Sequence, residues 1–164
     1  MKLSKIKGFT LIEILLVVSI LSIILVVVFA ALNPAQRLAE AQDARRWNDV
    51  NQLLTAIHEC ILDNDGTLSS CDLTDDNTAR EIVNTGISTS CNAAPCDTEV
   101  AATGNCADLE TELVTTQNYM ASLPLDPSGP ATDHTGYVVN VNNGLVTVSS
   151  CTLDVDGNVI SVSR

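Results

Sequence analysis

The hydrophobic pattern opens with an apolar run that holds no charged residue from Ile14 to Leu32. A helix from Phe9 to Leu32 would be about 36 Å long at 1.5 Å per residue. This exceeds the roughly 30 Å hydrocarbon core of a bilayer. Three lysines precede the run, so the positive-inside rule places the N-terminus in the cytoplasm and the remainder outside. The pattern therefore predicts a membrane-spanning helix over residues 9–33.

A second helix, over residues 34–62, is predicted because apolar residues return at spacings of three and four. Asn33-Pro34 separates the two helices and predicts a bend, since proline inside a helix removes a hydrogen bond. Asp63 to Gly66 supplies the residues that end a helix. The predicted apolar stripe holds Trp47, Val50, Leu53, Leu54, Ile57, Cys60 and Ile61. The predicted polar face holds Asp43, Arg45, Asp49, Asn51 and Gln52.

The C-terminal third is predicted to be a three-stranded antiparallel meander. Residues 137–141, 145–155 and 159–162 are rich in β-branched residues, which favour strands. Asn143-Gly144 and Asp156-Gly157 separate them, and both dipeptides are strong hairpin signals. The apolar face of such a sheet needs a cover, which the amphipathic helix can provide. The chain is therefore predicted to be an α+β protein, with a long N-terminal helix packed on this sheet.

The middle of the chain, residues 67–118, is polar and carries fewer signals. Residues 75–83 and 107–113 each predict a short helix, and residues 88–104 predict a variable loop pinned by disulfides. Six cysteines lie outside the membrane segment: Cys60, Cys71, Cys91, Cys96, Cys106 and Cys151. An even number in an exported domain predicts disulfides, and six allow fifteen pairings. Cys91–Cys96 is the most local of these, and the spacing does not fit a zinc site.

The charge distribution bears on the choice of partner. From Trp47 onward the chain has seventeen acidic side chains against two basic ones, a net charge of about −15. Such a surface repels phosphates, so no direct contact with nucleic acid is expected. His58 lies on the predicted helix and His134 in a turn, without a Ser-His-Asp or Cys-His arrangement around them. A non-catalytic role is expected.

One short motif is far more specific than these patterns. Gly8-Phe9-Thr10-Leu11-Ile12-Glu13, after a basic leader and before a long apolar run, resembles the N-terminus of type IV prepilins and type II secretion pseudopilins. The resemblance implies that a prepilin peptidase cleaves after Gly8 and methylates the new amino group on Phe9. It also implies that Glu13 is needed for assembly. Residues 1–8 would be the leader, 9–33 the filament-core helix and 34–164 the exported head.

The function implied by this resemblance is that of a filament subunit. The precursor would wait in the cytoplasmic membrane with its head outside, and would then polymerise as a homo-oligomer on an assembly platform into an extracellular pilus-like filament. Two alternatives stay open: a pseudopilin of a secretion or DNA-uptake machine, and a single-pass anchored domain that never polymerises. An ordinary secretory cleavage after Val28-Phe29-Ala30 is disfavoured because the apolar run is too long.

A second, weaker resemblance concerns a possible cofactor. Leu123-Pro124-Leu125-Asp126-Pro127, just before the predicted strands, resembles a segment of major pseudopilins, in which an acidic loop in this region can bind calcium. The resemblance makes Asp126 and Asp133 candidate calcium ligands, with Asp154 and Asp156 as further possibilities. The alternative is that these acids are turn residues exposed to water, in which case no cofactor is expected.

Overall fold

The computed structural model describes residues 8–84, 91–92, 101–102, 106–129 and 134–164. Two α-helices come first, α1 (Leu11–Leu32) and α2 (Pro34–Asp63), followed by a 3₁₀ turn (Leu68–Cys71). The strands are β1 (Arg80–Val83), β2 (Cys91–Asn92), β3 (Ala101–Ala102), β4 (Cys106–Asp108), β5 (His134–Asn142), β6 (Leu145–Leu153) and β7 (Val159–Ser163). The chain divides into two compact units, Met1–Leu38 and Ala39–Arg164.

The first helix, α1, is apolar on every side, and none of its residues is buried. The helical stretch Leu11–Asp63 contains a window long and apolar enough to cross a membrane. Asn33 ends α1 in the left-handed conformation, with φ 38°, and α2 begins at Pro34. Proline suits this position because the first residues of a helix have no intrahelical partner for their N–H groups. The sequence predicted a bend near residue 33, and the structure has a break between two helices at that residue.

The second helix confirms most of the predicted apolar stripe and corrects the rest. Val50, Leu53, Leu54, Ile57 and Cys60 are buried, and Ile61 packs against them. Trp47 is 45% exposed, so its predicted place in the core is wrong. Asp43 and Asp49, assigned to the polar face, are each only 8% exposed. Their burial was missed because Val155 and Tyr137, which donate hydrogen bonds to them, lie far away in the sequence.

The main sheet has five strands in the order β4-β1-β5-β6-β7. Strands β5, β6 and β7 are antiparallel neighbours, which confirms the predicted meander. The hairpin between β5 and β6 turns at Asn143 and Gly144, both with positive φ, as the dipeptide predicted. Strand β1 pairs antiparallel with β5 and parallel with β4. The sheet is therefore mixed and larger than the predicted meander.

The two short helices predicted in the middle of the chain need correction. Residues 80–83 form strand β1, and Asp75 accepts hydrogen bonds from the backbone N–H groups of Asn143 and Gly144, each 2.8 Å. These long-range partners override a weak helical preference. Residues 106–108 form β4, and the helical turn comes later, with a π-helix over Thr111–Thr116. Most of the predicted loop 88–104 lies outside the described residues, apart from the small β2–β3 pair.

The core of the second unit lies between the apolar stripe of α2 and one face of the sheet. Tyr137, Val139, Val141, Val148 and Ile160 are buried from the sheet side. Leu109 and Leu113, from the segment before the π-helix and within it, complete this core. The α+β, pilin-like class predicted from the sequence is confirmed.

Disulfides hold the described cysteine side chains. Cys60 in the last turn of α2 is bonded to Cys71, with the Cα atoms 6.1 Å apart. Cys106 and Cys151 are also disulfide-bonded. The predicted Cys91–Cys96 pairing falls on side chains outside the described residues. Oxidised cysteines, predicted for an exported head, are thus confirmed at these four positions.

Candidate functional site: the N-terminal motif and the buried ionic cluster of the head

The N-terminal motif is open to its surroundings. Gly8, Phe9 and Thr10 precede the first helical residue, and Phe9 is 84% exposed. A Cβ atom added at Gly8 would have no other atom within 4 Å. The Gly8–Phe9 peptide bond therefore lies in a non-helical, accessible segment, as a processing enzyme requires.

Glu13 closes a capping box with Thr10 at the start of α1. The Glu13 Oε2 atom accepts a hydrogen bond of 2.8 Å from the Thr10 backbone N–H and one of 2.7 Å from the Thr10 hydroxyl. In return, the Glu13 N–H donates to the Thr10 Oγ1 atom at 3.3 Å. The box satisfies N–H groups that have no partner within the helix.

This role of Glu13 was missed at the level of sequence, although its signal was present. Thr-x-x-Glu before an apolar run is the pattern of a capping box. The hypothesis that Glu13 pairs with the Phe9 amine of a neighbouring subunit stays a prediction. Within its own chain, Glu13 already has an uncharged hydrogen-bond partner in Thr10. A variant that keeps these bonds but removes the negative charge can therefore test the pairing.

The serines of α1 are already satisfied within the helix. The Ser19 hydroxyl donates to the Leu16 carbonyl at 2.7 Å, and the Ser22 hydroxyl to the Val18 carbonyl at 2.8 Å. Hydroxyl groups bonded in this way present no unsatisfied donor to lipid or to another helix. From Ile14 to Leu32, α1 is thus suited to an apolar environment.

A buried ionic cluster fastens α2 to the sheet. Arg46, only 3% exposed, reaches Asp126 with two hydrogen bonds, Nε to Oδ2 at 2.8 Å and Nη2 to Oδ1 at 3.1 Å. Its Nη1 atom donates to Asp43 Oδ1 at 2.7 Å. One guanidinium group thus faces two carboxylates, an arrangement that arginine geometry favours.

Backbone and hydroxyl groups complete this cluster. The Val155 N–H donates to Asp43 Oδ2 at 2.9 Å, which ties α2 to the turn between β6 and β7. Ser128 donates to Asp126 through both its N–H and its hydroxyl. One turn along α2, the Tyr137 hydroxyl donates to Asp49 Oδ2 at 2.8 Å. Asp43 and Asp49, which were assigned from the sequence to a polar face, are therefore buried hydrogen-bond acceptors.

The surroundings shift the pKa values of this cluster. Burial alone would raise the pKa of Asp126, but hydrogen bonds from Arg46 and Ser128 outweigh it and hold that pKa below its ordinary value. The hydrogen bond to Asp126 raises the pKa of Arg46. Burial, followed by the hydrogen bond to Asp49, raises the pKa of Tyr137. Arg46 and Asp126 thus both stay charged at neutral pH, whereas the Tyr137 hydroxyl keeps its proton.

The candidate calcium ligands do not come together in the described part of the chain. Both oxygens of Asp126 are occupied by Arg46, and Asp133 lies outside the described residues. Asp154 accepts from the N–H groups of Asp156 and Asn158 within its own turn. Among the residues described, no group of three or more His, Cys, Asp or Glu side chains could hold a metal ion. Calcium binding stays a prediction, and at Asp126 it would have to compete with Arg46.

Adding a calcium chelator to the purified full chain in detergent tests that prediction. If calcium holds Asp126 and Asp133, the chelator lowers the melting temperature and added Ca²⁺ restores it. Because Arg46 already neutralises Asp126, we expect no change in melting temperature. A chelator-dependent drop that Asp133→Asn abolishes would contradict this expectation and support the calcium site.

Comparison with known proteins places a family signature on the same segment. Residues 3–29 match the model of the prokaryotic N-terminal methylation motif. No curated protein and no solved structure matches the chain. The match spans Gly8, Phe9 and Glu13. The chain therefore carries the signal motif of type IV prepilins and pseudopilins, followed by a pilin-like α+β head.

Proposed function

We propose that the chain is the precursor of a pilus-like filament subunit. It is held in the cytoplasmic membrane by α1 with its head outside, cleaved after Gly8, N-methylated at Phe9 and polymerised through α1. The observation that carries the proposal is the methylation motif at residues 3–29, on a helix with no buried residue. An apolar helix whose side chains are all exposed needs another environment to cover them.

The same helix serves two environments in turn. Before assembly, lipid covers its apolar side chains, and after assembly the helices of neighbouring subunits do so. Because its serine hydroxyls are bonded internally, transfer between these environments leaves neither of them unsatisfied. The acidic head stays in water and keeps filaments apart from one another.

We expect the mature protein to begin at N-methylated Phe9, as read by mass spectrometry of the N-terminal peptide. Gly8→Leu should leave the fold unchanged, because a side chain at position 8 meets nothing within 4 Å. It should nevertheless block cleavage, because the peptidase must approach the backbone there. A mature start at Ala31, or an uncut Met1 in the wild type, would contradict the proposal.

Filament formation is tested by imaging cells with and without the gene. Surface filaments that disappear on deletion, and that contain this protein, would support the proposed function. Cleaved protein without surface filaments would favour the pseudopilin alternative. Uncleaved protein at the cell surface would favour the anchored domain that does not polymerise.

A further inference from the structure

The turn between β6 and β7 carries exposed apolar side chains on a rigid support. We call Leu153, Val155 and Val159 the hairpin knob; they are 46%, 49% and 45% exposed. Leu153 and Val159 are cross-strand partners, and the Val155 N–H is held by Asp43. Asp154 fixes the turn by accepting from the N–H groups of Asp156 and Asn158, at 2.9 and 2.8 Å. The knob therefore keeps its shape without a partner.

A groove of about 380 Å³ runs along another side of α2. We call it the α2 groove. Glu59 is the one ionisable acid among its lining residues in the described structure. Tyr119 forms a wall, and its hydroxyl is fixed by Asp63 at 2.9 Å and Gln117 at 2.8 Å. The other principal lining residues are Asn48, Gln52, Thr55, Ala56 and Met120.

The knob and the groove lie on different sides of the same helix. At about 100° per residue, Gln52 is about 180° around the axis of α2 from Asp43, which holds Val155, and Thr55 is about 120° away. One head thus presents two distinct surfaces in two directions. Contact between such surfaces on successive copies is heterologous, and heterologous contacts build rings or open helical filaments.

Charge restricts where two heads can touch. The segment from Trp47 onward carries about −15, so most head surfaces repel one another. The groove offers few acids, and Arg45 lies on its side of α2, one turn before Asn48 and Asp49. The Arg45 side chain is 59% exposed and only loosely paired with Asp49, at 3.7 Å. At the tip of the hairpin, Asp156 is exposed. Arg45, beside the groove, and Asp156, at the hairpin tip, are thus exposed charges of opposite sign.

We propose that the hairpin knob of one copy docks in the α2 groove of the next copy, with Val155 in the groove and Asp156 facing Arg45. This inference rests on the proposed filament function and names the head surfaces that meet. The contact removes apolar side chains from water and pairs two charges that have no strong partner within their own chain. It adds a head-to-head contact to the packing of α1.

Val155→Asp tests the knob, with Leu145→Asp as the matched control. Both residues are exposed apolar side chains, each at 49%, and each change adds one acid. We expect Val155→Asp to be cleaved at Phe9 and to melt like the wild type, yet to form about tenfold fewer filaments, because a buried like charge is costly. Leu145→Asp should keep wild-type filament numbers. Normal filaments in Val155→Asp, or an equal loss in Leu145→Asp, would overturn the docking.

A charge exchange tests the groove in full-length protein on cells. Arg45→Asp and Asp156→Arg should each lower filament number, and the double variant should recover most of it. A double variant no better than the weaker single one would overturn the pairing. A wild-type strain that makes no filaments would overturn the proposed function and the docking with it. Normal filaments in Val155→Asp would overturn the docking alone.

Discussion

Replacing Glu13 by glutamine should abolish filaments while leaving helix α1 capped. The glutamine amide oxygen can still accept from the Thr10 N–H and hydroxyl, which Glu13 contacts at 2.8 and 2.7 Å. What glutamine removes is the negative charge. In a filament that charge can neutralise the Phe9 amine of an adjoining subunit, and an unpaired charge among apolar helices costs several kcal/mol. We therefore expect a cleaved, membrane-inserted protein and no filaments on imaging.

Thr10→Val provides the complementary variant. It removes the hydroxyl from the capping box but keeps the Glu13 charge and the Thr10 backbone N–H as donor. Loss of an N-cap hydroxyl costs about 1 kcal/mol of helix stability, so filament number should fall much less than in Glu13→Gln. If Glu13→Gln assembled normally and Thr10→Val did not, the role of Glu13 would be helix capping and not charge pairing.

Breaking the buried cluster should have the largest effect on the stability of the head. Asp126→Asn removes the carboxylate that meets two nitrogen atoms of Arg46 and leaves that guanidinium with Asp43 alone. Removing one partner of a buried ion pair costs roughly 3–5 kcal/mol. We expect the melting temperature of the full chain in detergent to fall by about 10 °C or more. Asp156→Asn, at an exposed position of the hairpin tip, should leave it unchanged.

The double variant Arg46→Met, Asp126→Asn should be less destabilised than the two single changes added together, because the bonds between Arg46 and Asp126 are lost only once. Additive losses would show that the two side chains act independently.

The same cluster predicts how stability depends on pH. The pKa of Asp126 is lower in the folded chain than its ordinary value of 3.8. A carboxyl group of this kind contributes stability above its unfolded pKa, and that contribution is lost as the pH falls through the folded pKa. Wild-type melting temperature should therefore fall steeply below about pH 4. Asp126→Asn should show a shallower fall, because the group that titrates is gone.

Periodicity and short motifs predicted the elements that depend on neighbours in sequence. The apolar run, the break at Asn33, the stripe around Leu53 and the Asn143-Gly144 hairpin all rest on residues a few positions apart. For the same reason the motif residues Gly8, Phe9 and Glu13 could be named in advance. The structure shows where these three residues lie, whereas cleavage, methylation and assembly stay predictions.

Features that depend on distant partners could not be predicted in this way. Asp43 and Asp49 follow the spacing of a polar face, but they are buried where Val155 and Tyr137, 112 and 88 residues away, donate to them. Strand β1 was predicted to be helical because its partners β4 and β5 follow it by more than twenty residues. Trp47 fits the apolar period, yet its side chain is exposed. A helical period identifies a face but not the residues that cover it.

The span of the bonds between α2 and the sheet sets the order in which the head can fold. Arg46 meets Asp126 across 80 residues, Tyr137 meets Asp49 across 88, and Val155 meets Asp43 across 112. During synthesis α2 appears before the sheet, so the distant partners of its side chains come last. Contacts between residues so far apart in the sequence slow folding, because long loops must close before these contacts can form. The second unit can therefore complete its core only after almost the whole chain has been synthesised, and until then α2 lacks the partners that bury its charged side chains.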